Sequence, residues 1–311
     1  DVYKRQVKWD MNRHMSDAYS PALSNQGEFA HRYIIGLYEV LNRVFTPRRH
    51  ILLESCSSGG NRFDLGMLCY SPQIWASDDT DPIERLDIQS GLSYLYPQST
   101  MGAHVSAAPH QQTLRDTPLS TRFNVAAFGV LGYELELKYM TRAELKELRG
   151  QIEFYKAHRR TLQFGRFYRF DERKGNKVHW QVSSRDGKEH IVGHFQKLCT
   201  ASEGPDALCV HDLEPKAKYH LSCKRQSLFI KRLGGLVKHV MPIELDPDGL
   251  ILRTANKFIT MPDGEEDFTA SGAALMSGVG LNNQFLGTGY NDKIHMFGDF
   301  GSAVYTIERK P

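Results

Sequence analysis

The sequence predicts an α/β chain in which a partial (β/α)8 TIM barrel precedes an antiparallel β-sandwich. Between residues 7 and 158, short apolar runs alternate with amphipathic helical patterns, an order typical of parallel sheets. From about residue 178, short runs near period two are separated by turn signals such as Asp186-Gly187 and Asp263-Gly264. That second pattern favours antiparallel strands.

The predicted strands of the first part are five short apolar runs. They cover residues 7–10, 50–55, 73–76, 101–105 and 123–128. A closed barrel of eight strand–helix units needs about 250 residues. The five units therefore indicate either a small open sheet or the later part of a barrel.

Three of the intervening helices have clear signals. The first has an apolar face and ends at Pro47. Its apolar residues are Phe29, Tyr33, Leu37, Val40, Leu41 and Val44. The second begins at Asp81 with Pro82 in its first turn, and the third opens with a capping box from Thr141 to Glu144.

The predicted strands of the second part are more numerous. They cover residues 178–182, 190–195, 219–224, 228–233, 250–254, 257–261 and 303–308. We expect the incomplete barrel to span residues 7–165 and the β-sandwich to span residues 166–311. Residues 1–6 (DVYKRQ) lack the apolar pattern of a buried strand, and we expect them to be a non-native scar.

The composition argues against several classes of protein. The chain has 311 residues, 41% of them hydrophobic, and a net charge of +3, which allows two packed cores and gives no basic face for nucleic acid. No apolar run approaches the roughly 20 residues of a membrane span. The five cysteines are an odd, scattered set without a C-x-x-C pair. They indicate a reduced, cytoplasmic chain with no structural zinc.

Polar side chains follow the ends of the predicted strands. The first strand ends in KWDMN, which contains Asp10, and the third ends in WASDDTD, which contains Asp78. Parallel strands place their carboxyl ends at one edge of a sheet, so we expect the two carboxylates to face a common mouth. Glycoside hydrolysis requires such a pair, because one carboxylate attacks the anomeric carbon and the other protonates the leaving oxygen.

These acidic residues also have structural interpretations. Asp10 beside Lys8 is typical of an ion pair. Asp78, Asp79 and Asp81 together could form a metal cluster, although Asp81 has the position of a helix cap.

Two other polar sites have structural explanations as well. Ser57 and Ser58 precede two glycines, which could indicate a nucleophilic serine or a phosphate loop, but neither G-x-S-x-G nor a Walker pattern is present. His104 lies within the fourth predicted strand, where a histidine is more often a hydrogen-bonded core residue than a catalytic one.

Five segments together are more specific than any one of them. KWDMNR, ESCSSGGNRFDLGML, WASDDTDPIERL, MGAHVSAAP and FNVAAFGVLGYELEL, in this order, closely resemble the α-galactosidases of glycoside hydrolase family 36. The resemblance runs from residue 7 to the C-terminus. It implies a retaining hydrolase that acts on terminal α-galactosides such as melibiose and raffinose, with no metal or other cofactor.

The resemblance also implies roles for single residues. Asp10 would be the nucleophile and Asp78 the acid/base. Lys8 and Asn12 resemble residues that bind galactose hydroxyls, and the segment from Cys56 resembles the loop around the 2-hydroxyl group. The expected substrate-binding residues are Lys8, Trp9, Met11, Asn12, Cys56, Ser57, Ser58 and Gly59.

The sequence departs from the family pattern, since no N-terminal β-sandwich and no first three barrel strands precede KWDMN. We therefore expect this chain to be inactive alone, and the complete protein to be a homo-oligomer. The alternatives are an α-N-acetylgalactosaminidase, a raffinose-type transglycosylase and a non-catalytic sugar-binding protein. The presence of both Asp10 and Asp78 argues against the last, because binding alone does not need two carboxylates.

Overall fold

The computed structural model describes residues 5–170, 175–201, 207–236, 238, 246, 249–264, 266–282, 295 and 297–311. Residues 1–4, which belong to the expected scar, lie outside the described residues. Among the described helices, none combines the length and the apolar character that crossing a membrane requires.

The first part of the chain forms a five-stranded parallel sheet with its strands in sequence order. The strands are β1 (Gln6–Asp10), β2 (Leu52–Cys56), β3 (Gln73–Trp75), β4 (Met101–Ser106) and β5 (Val130–Glu134). This order, with helices between the strands, is that of consecutive (β/α)8 barrel units. The predicted partial barrel is confirmed.

Five α-helices lie in the described residues of this part. They are α1 (Phe29–Phe45), α2 (Leu65–Leu68), α3 (Pro82–Leu92), α4 (Leu119–Ala126) and α5 (Arg142–Phe164). Two of them, α3 and α5, begin at the predicted signals. Asp81 caps α3 by accepting from the backbone N–H of Ile83, and Thr141 forms the capping box of α5 with Glu144.

The prediction of a strand over residues 123–128 is wrong. Residues 123–126 complete helix α4 and residues 127–128 form a turn, so the strand comes after them, at Val130–Glu134. Phe123 and Phe128 are both buried in the core. Nearly every residue of this helix is buried, polar Ser120, Thr121 and Asn124 included. Its sequence therefore has no 3.6-residue period of apolar residues that would distinguish it from a buried strand.

The second part of the chain is built on a six-stranded antiparallel sheet with the order β13-β10-β15-β8-β7-β6. Its strands are β6 (Arg166–Phe170), β7 (Lys177–Ser183), β8 (Glu189–Gln196), β10 (Lys218–Cys223), β13 (Asp267–Ser271) and β15 (Ser302–Arg309). Two smaller sheets pair β11 (Ser227–Phe229) with β12 (Thr260–Pro262), and β9 (Ala207–Leu208) with β14 (Val279–Gly280). The predicted antiparallel β domain is confirmed.

Two predicted strands of this domain are helical. Residues 250–254 lie in α6 (Leu250–Ala255), and a 3-10 helix, Ile230–Leu236, replaces most of the strand predicted at 228–233. Among the described residues of this domain, a further helix, α7 (Gly272–Ser277), follows β13.

The six-stranded sheet has an apolar core on each face. On one face, Trp180, Ile191 and Phe195 pack with Val105 and Phe123 of the barrel part. On the other face, residues of β10 and β15 pack against Leu208 and Leu275. Helix α4 packs directly against β8 and β15, so the first core joins the β domain to the barrel part in one buried interior.

Candidate active site

The carboxyl ends of β1 and β2 lie side by side. Asp10 is opposite Cys56 in the parallel register, and the Met11 N–H donates to the Cys56 carbonyl over 3.2 Å. Side chains of a strand alternate between its two faces, so Lys8 and Asp10 share the face opposite to that of Trp9. The last residues of the two strands therefore begin one wall of the site.

Asp78 follows the end of β3, and its carboxylate lies beside Cys56. The Cys56 sulfur donates a long hydrogen bond to the Asp78 Oδ1 over 3.9 Å. Burial and the neighbouring Asp10 carboxylate raise the pKa of the Cys56 thiol to about 11, against an opposing hydrogen bond from the Gly59 backbone. The thiol is therefore neutral, and it lies between the two predicted catalytic carboxylates.

The loop after β2 closes this wall. Ser57 Oγ donates to the Met11 carbonyl over 2.8 Å, and the Ser58 N–H donates to Asn12 Oδ1 over 2.9 Å. The Asn12 side-chain amide in turn donates to Asp10 Oδ2 over 3.2 Å. A chain of hydrogen bonds thus fixes the orientation of the Asp10 carboxylate.

Gly59 is the point where this loop meets the end of β3. Its φ is +80°, and a Cβ built on it would lie 2.9 Å from the Asp78 backbone nitrogen. A side chain at this position would be strained and would push against Asp78. The glycine therefore allows the two strand ends to approach.

Lys8 contacts other partners than Asp10. Its Nζ lies 3.6 Å from Glu54 Oε1 and 4.7 Å above the Trp75 ring. The ion pair expected between Lys8 and Asp10 is thus replaced by one with Glu54. The Lys8 ammonium group therefore lies among the side chains near the carboxyl ends of the parallel strands.

The side chains of Trp9 and Met11 contact residues outside the two strand ends. The Trp9 ring packs near Phe45 of helix α1, with ring centroids 6.4 Å apart. The Met11 sulfur accepts hydrogen bonds from Tyr33 and Arg62. The structure brings together the other six expected binding residues and leaves these two side chains in contact with α1 and its surroundings.

The other two aspartates of the SDDTD segment have structural roles. Asp81 is fully buried, caps α3 and pairs with Arg115 over 2.6 Å. The Asp79 Oδ1 accepts from the Asp81 N–H over 2.9 Å and lies 3.9 Å from His110 Nδ1. Asp78 is the member of the segment that contacts Cys56.

The sequence analysis did not single out Arg85 or Glu134, and it interpreted His104 as a hydrogen-bonded core histidine. Arg85 of helix α3 is buried beside Trp75, with its guanidinium carbon 4.8 Å from the ring centroid. His104 Nδ1 is hydrogen-bonded to Glu134 Oε1 over 2.8 Å, and the His104 ring lies against Trp75. No local motif marks Arg85, since it resembles any charged residue of an amphipathic helix.

The Glu134 carboxylate balances several cations at this end of the barrel. The hydrogen bond from His104, together with the positive charges of Lys8 and Arg85, lowers the pKa of Glu134 although its partial burial acts to raise it. The space among these strands is therefore lined by charges of both signs.

A separate cluster of metal-ligating atoms lies in the β domain. Among the described residues, only Cys223, Glu266 and His295 place three such atoms within 4.8 Å of one another. His295 Nε2 is hydrogen-bonded to Glu266 over 2.7 Å and to Cys223 over 3.4 Å. Burial alone would lower the pKa of His295, but bonds with Asp263, Cys223 and Glu266 raise it to about 12. The imidazolium thus already satisfies the groups that could hold a cation.

Comparison with known proteins identifies the family. The model described as Melibiase matches residues 3–165, more than half of the chain, and that described as the glycosyl hydrolase family 36 C-terminal domain matches residues 177–307. The chain belongs to glycosyl hydrolase family 36. Both parts of the fold, the barrel segment and the β domain, are therefore family 36 domains.

Similar proteins include several α-galactosidases. Alpha-galactosidase 1 of Pediococcus pentosaceus is 49% identical over 216 residues, which are 68% of this chain and 30% of that protein. The α-galactosidase structure from Lactobacillus brevis matches 99% of this chain with a TM-score of 0.78 at 36% identity, over 36% of its own length.

A third relative is a variant of AgaA from Geobacillus stearothermophilus in complex with raffinose. It matches 98% of this chain with a TM-score of 0.77 at 35% identity, over 35% of its own length. The family 36 chain described here thus spans about a third of the length of its relatives.

Proposed function

We propose that this chain supplies both catalytic carboxylates of a retaining α-galactosidase. The observation that supports the proposal is the contact of the Cys56 thiol with Asp78, together with the register that places Cys56 beside Asp10. Two carboxylates from different strand ends thereby share one neighbour. This arrangement suits a double displacement at an anomeric carbon.

In the first step, the Asp10 carboxylate attacks the anomeric carbon while the bond to the leaving oxygen breaks. Asp78 donates its proton to that oxygen, so the aglycone leaves as a neutral alcohol. A galactosyl ester of Asp10 remains. In the second step, Asp78 takes a proton from a water molecule, whose oxygen displaces Asp10 from the anomeric carbon. Two inversions give net retention.

The neighbouring groups would bind the sugar. Lys8 and Asn12 have donors for its hydroxyl groups, and the Asn12 amide also holds Asp10 in place. Cys56 and Gly59 add little bulk, which suits a bare 2-hydroxyl group better than an N-acetyl group. The AgaA variant that is solved with raffinose supports an α-galactoside oligosaccharide as the substrate. Neither step needs a metal or another cofactor.

The test is a chimera in which residues 7–311 replace the aligned part of AgaA. We expect it to hydrolyse nitrophenyl α-galactoside and to discriminate against the N-acetylgalactosaminide. Asp10→Gly should abolish turnover, and added azide should restore part of it as β-galactosyl azide, because azide can enter where the carboxylate is missing. An α-configured azide, or full activity of Asp10→Gly, would refute the role of Asp10.

A further inference from the structure

Arg85 binds the main chain on both sides of Asp78. Its Nη2 donates to the Ser77 carbonyl over 2.8 Å, and its Nε donates to the Asp79 carbonyl over 2.7 Å. Ser77 and Asp79 are the two residues that flank Asp78 in the chain. One guanidinium therefore holds the segment that carries this carboxylate at two points.

The third hydrogen bond of Arg85 leads to the neighbouring strand. Nη1 donates to the Gly102 carbonyl of β4 over 3.0 Å. Gly102 is opposite Trp75 in the parallel register, and a Cβ on Gly102 would lie 2.8 Å from the Trp75 ring. The guanidinium thus ties the irregular segment after β3 to the regular strand beside it.

Burying the charged side chain of Arg85 is unfavourable, which indicates that its position has a specific role. Arg85 is only 2% exposed. Burial lowers its pKa to about 10, and the negative charges of Asp79, Glu134 and Asp78 oppose that shift. Among the described residues, no carboxylate forms an ion pair with Arg85 within 4.0 Å, so neutral carbonyl groups are its direct partners. Burying a charge for carbonyl partners is unfavourable unless the geometry that it fixes matters.

We propose that Arg85 is a positioning residue that holds Asp78 at the leaving oxygen. The inference rests on the proposed role of Asp78 as the acid/base. A planar guanidinium can reach three carbonyls in fixed directions, which an ammonium group on a flexible stem cannot. Arg85→Lys would keep a cation but release at least one of the two carbonyls beside Asp78. Displacing a catalytic group by about 1 Å can cost about 100-fold in rate.

Comparing kcat/KM for two substrates distinguishes a positioning role of Arg85 from a contribution to overall stability. Raffinose has a poor leaving group that must be protonated, whereas α-galactosyl fluoride needs little protonation. Misplacing the acid should therefore lower kcat/KM for raffinose far more than for the fluoride. A loss of folded enzyme would lower both values by the same factor.

The experiment uses the AgaA chimera with Arg85→Lys, and Arg122→Lys as the matched control. Arg122 of helix α4 is a partly buried arginine, whose pKa burial lowers to about 10, and it donates to the Ser106 carbonyl over 2.6 Å. It does not touch the segment around Asp78. We expect Arg85→Lys to lower kcat/KM for raffinose about 100-fold and for the fluoride less than about fivefold. Arg122→Lys should change both substrates equally.

Equal losses on both substrates in Arg85→Lys, or the same selective loss in Arg122→Lys, would overturn the inference. Hydrogen exchange gives a second measurement that does not depend on activity. Amides 77–79 should exchange at least about tenfold faster in Arg85→Lys than in the parent, and unchanged exchange there would contradict the role. A parent chimera without activity, or an Asp78→Ala variant that lacks the leaving-group dependence, would instead count against the proposed function.

Discussion

The sulfur of Cys56 lies 3.9 Å from the Asp78 carboxylate, and Cys56 is paired with Asp10 in the register of β1 and β2. One small side chain therefore contacts both carboxylates of the site. Its neutral state matters, because a thiolate between two carboxylates would add a third negative charge. Burial and Asp10 raise the pKa of the thiol to about 11, which keeps it neutral.

The state of Cys56 can be measured by alkylation. In the chimera at pH 8, iodoacetamide should modify the exposed Cys69 and leave Cys56 unmodified. Between pH 8 and pH 10 the rate at Cys56 should rise roughly tenfold per pH unit, since the reactive thiolate fraction grows by that factor below the pKa. Mass spectrometry of the two peptides gives both rates. Labelling of Cys56 at pH 7 as fast as that of Cys69 would contradict this account.

Substituting Gly59 should lower kcat/KM by more than the strain of its positive φ alone would. Gly59→Ala would place a Cβ 2.9 Å from the Asp78 nitrogen, whereas Gly175, with φ +70°, has no atom within 4 Å of its Cβ position. We expect Gly59→Ala to lower kcat/KM for raffinose about 100-fold, because it displaces the acid/base. Gly175→Ala should cost at most about 1 kcal/mol of stability and leave kcat/KM unchanged. If both variants lost kcat/KM to a similar extent, the contact of the new Cβ with Asp78 would not be the cause.

The sequence allowed the positions of Asp10 and Asp78 to be predicted because both depend on one local rule. Parallel strands bring polar residues at their carboxyl ends to the same edge, and the first four strands were recognisable as short apolar runs. The rule gives the position of a residue but not the face to which its side chain points, so the role of Trp9, one residue before Asp10, stays a prediction. Alternation along β1 directs its ring to Phe45.

Arg85 and Glu134 could not be predicted in the same way. Each acts through a contact between residues far apart in sequence, such as the bond from His104 to Glu134 across neighbouring strands. A single sequence carries no signal for such a pair. The helix over residues 119–126 was missed for another reason. It is buried on nearly all sides, so its apolar residues show no helical period. It is recognised as a helix only because the barrel strand follows it, after Gly129.

Asp81 should contribute to stability and not to catalysis. It is buried, accepts hydrogen bonds from Thr113 and the Ile83 N–H, and pairs with Arg115. Asp81→Ala should lower the unfolding free energy of the chimera by about 2 kcal/mol, while kcat per folded enzyme stays unchanged. Asp17→Ala, at an exposed position, should be neutral within about 0.5 kcal/mol.

The effect of Asp81 should also depend on pH. Burial acts to raise the pKa of Asp81, but the bonds from Thr113, Ile83 and Arg115 outweigh it and lower that pKa below its ordinary value. A lowered carboxyl pKa stabilises the fold above the unfolded value, near pH 4, and the contribution is lost as the pH falls through the folded pKa. Denaturant titrations should show the gap between parent and Asp81→Ala narrowing below about pH 4. A constant gap from pH 7 to pH 3 would contradict the ionic origin.

The chain of 311 residues should be inactive and prone to aggregation when expressed alone. In the described residues, β1 and β5 are the outer strands of the parallel sheet, each paired on one side. A closed barrel has no such edges, and unpaired parallel strands template association with other chains. Apolar side chains are also uncovered beside β1. The exposed ones on α1 and β2 are Ile34, Ile35, Val40, Val44 and Leu52.

Even a soluble form should turn over slowly. Asp10 and Asp78 can keep their places at the strand ends, but the described strands wall only one side of a bound sugar. Orientation of the substrate contributes several kcal/mol to catalysis, so its loss should lower the rate by orders of magnitude. The measurement compares residues 1–311 with the chimera by solubility, near-UV circular dichroism and hydrolysis of nitrophenyl α-galactoside. A soluble, cooperatively melting chain with the activity of the chimera would show that the missing wall is not needed.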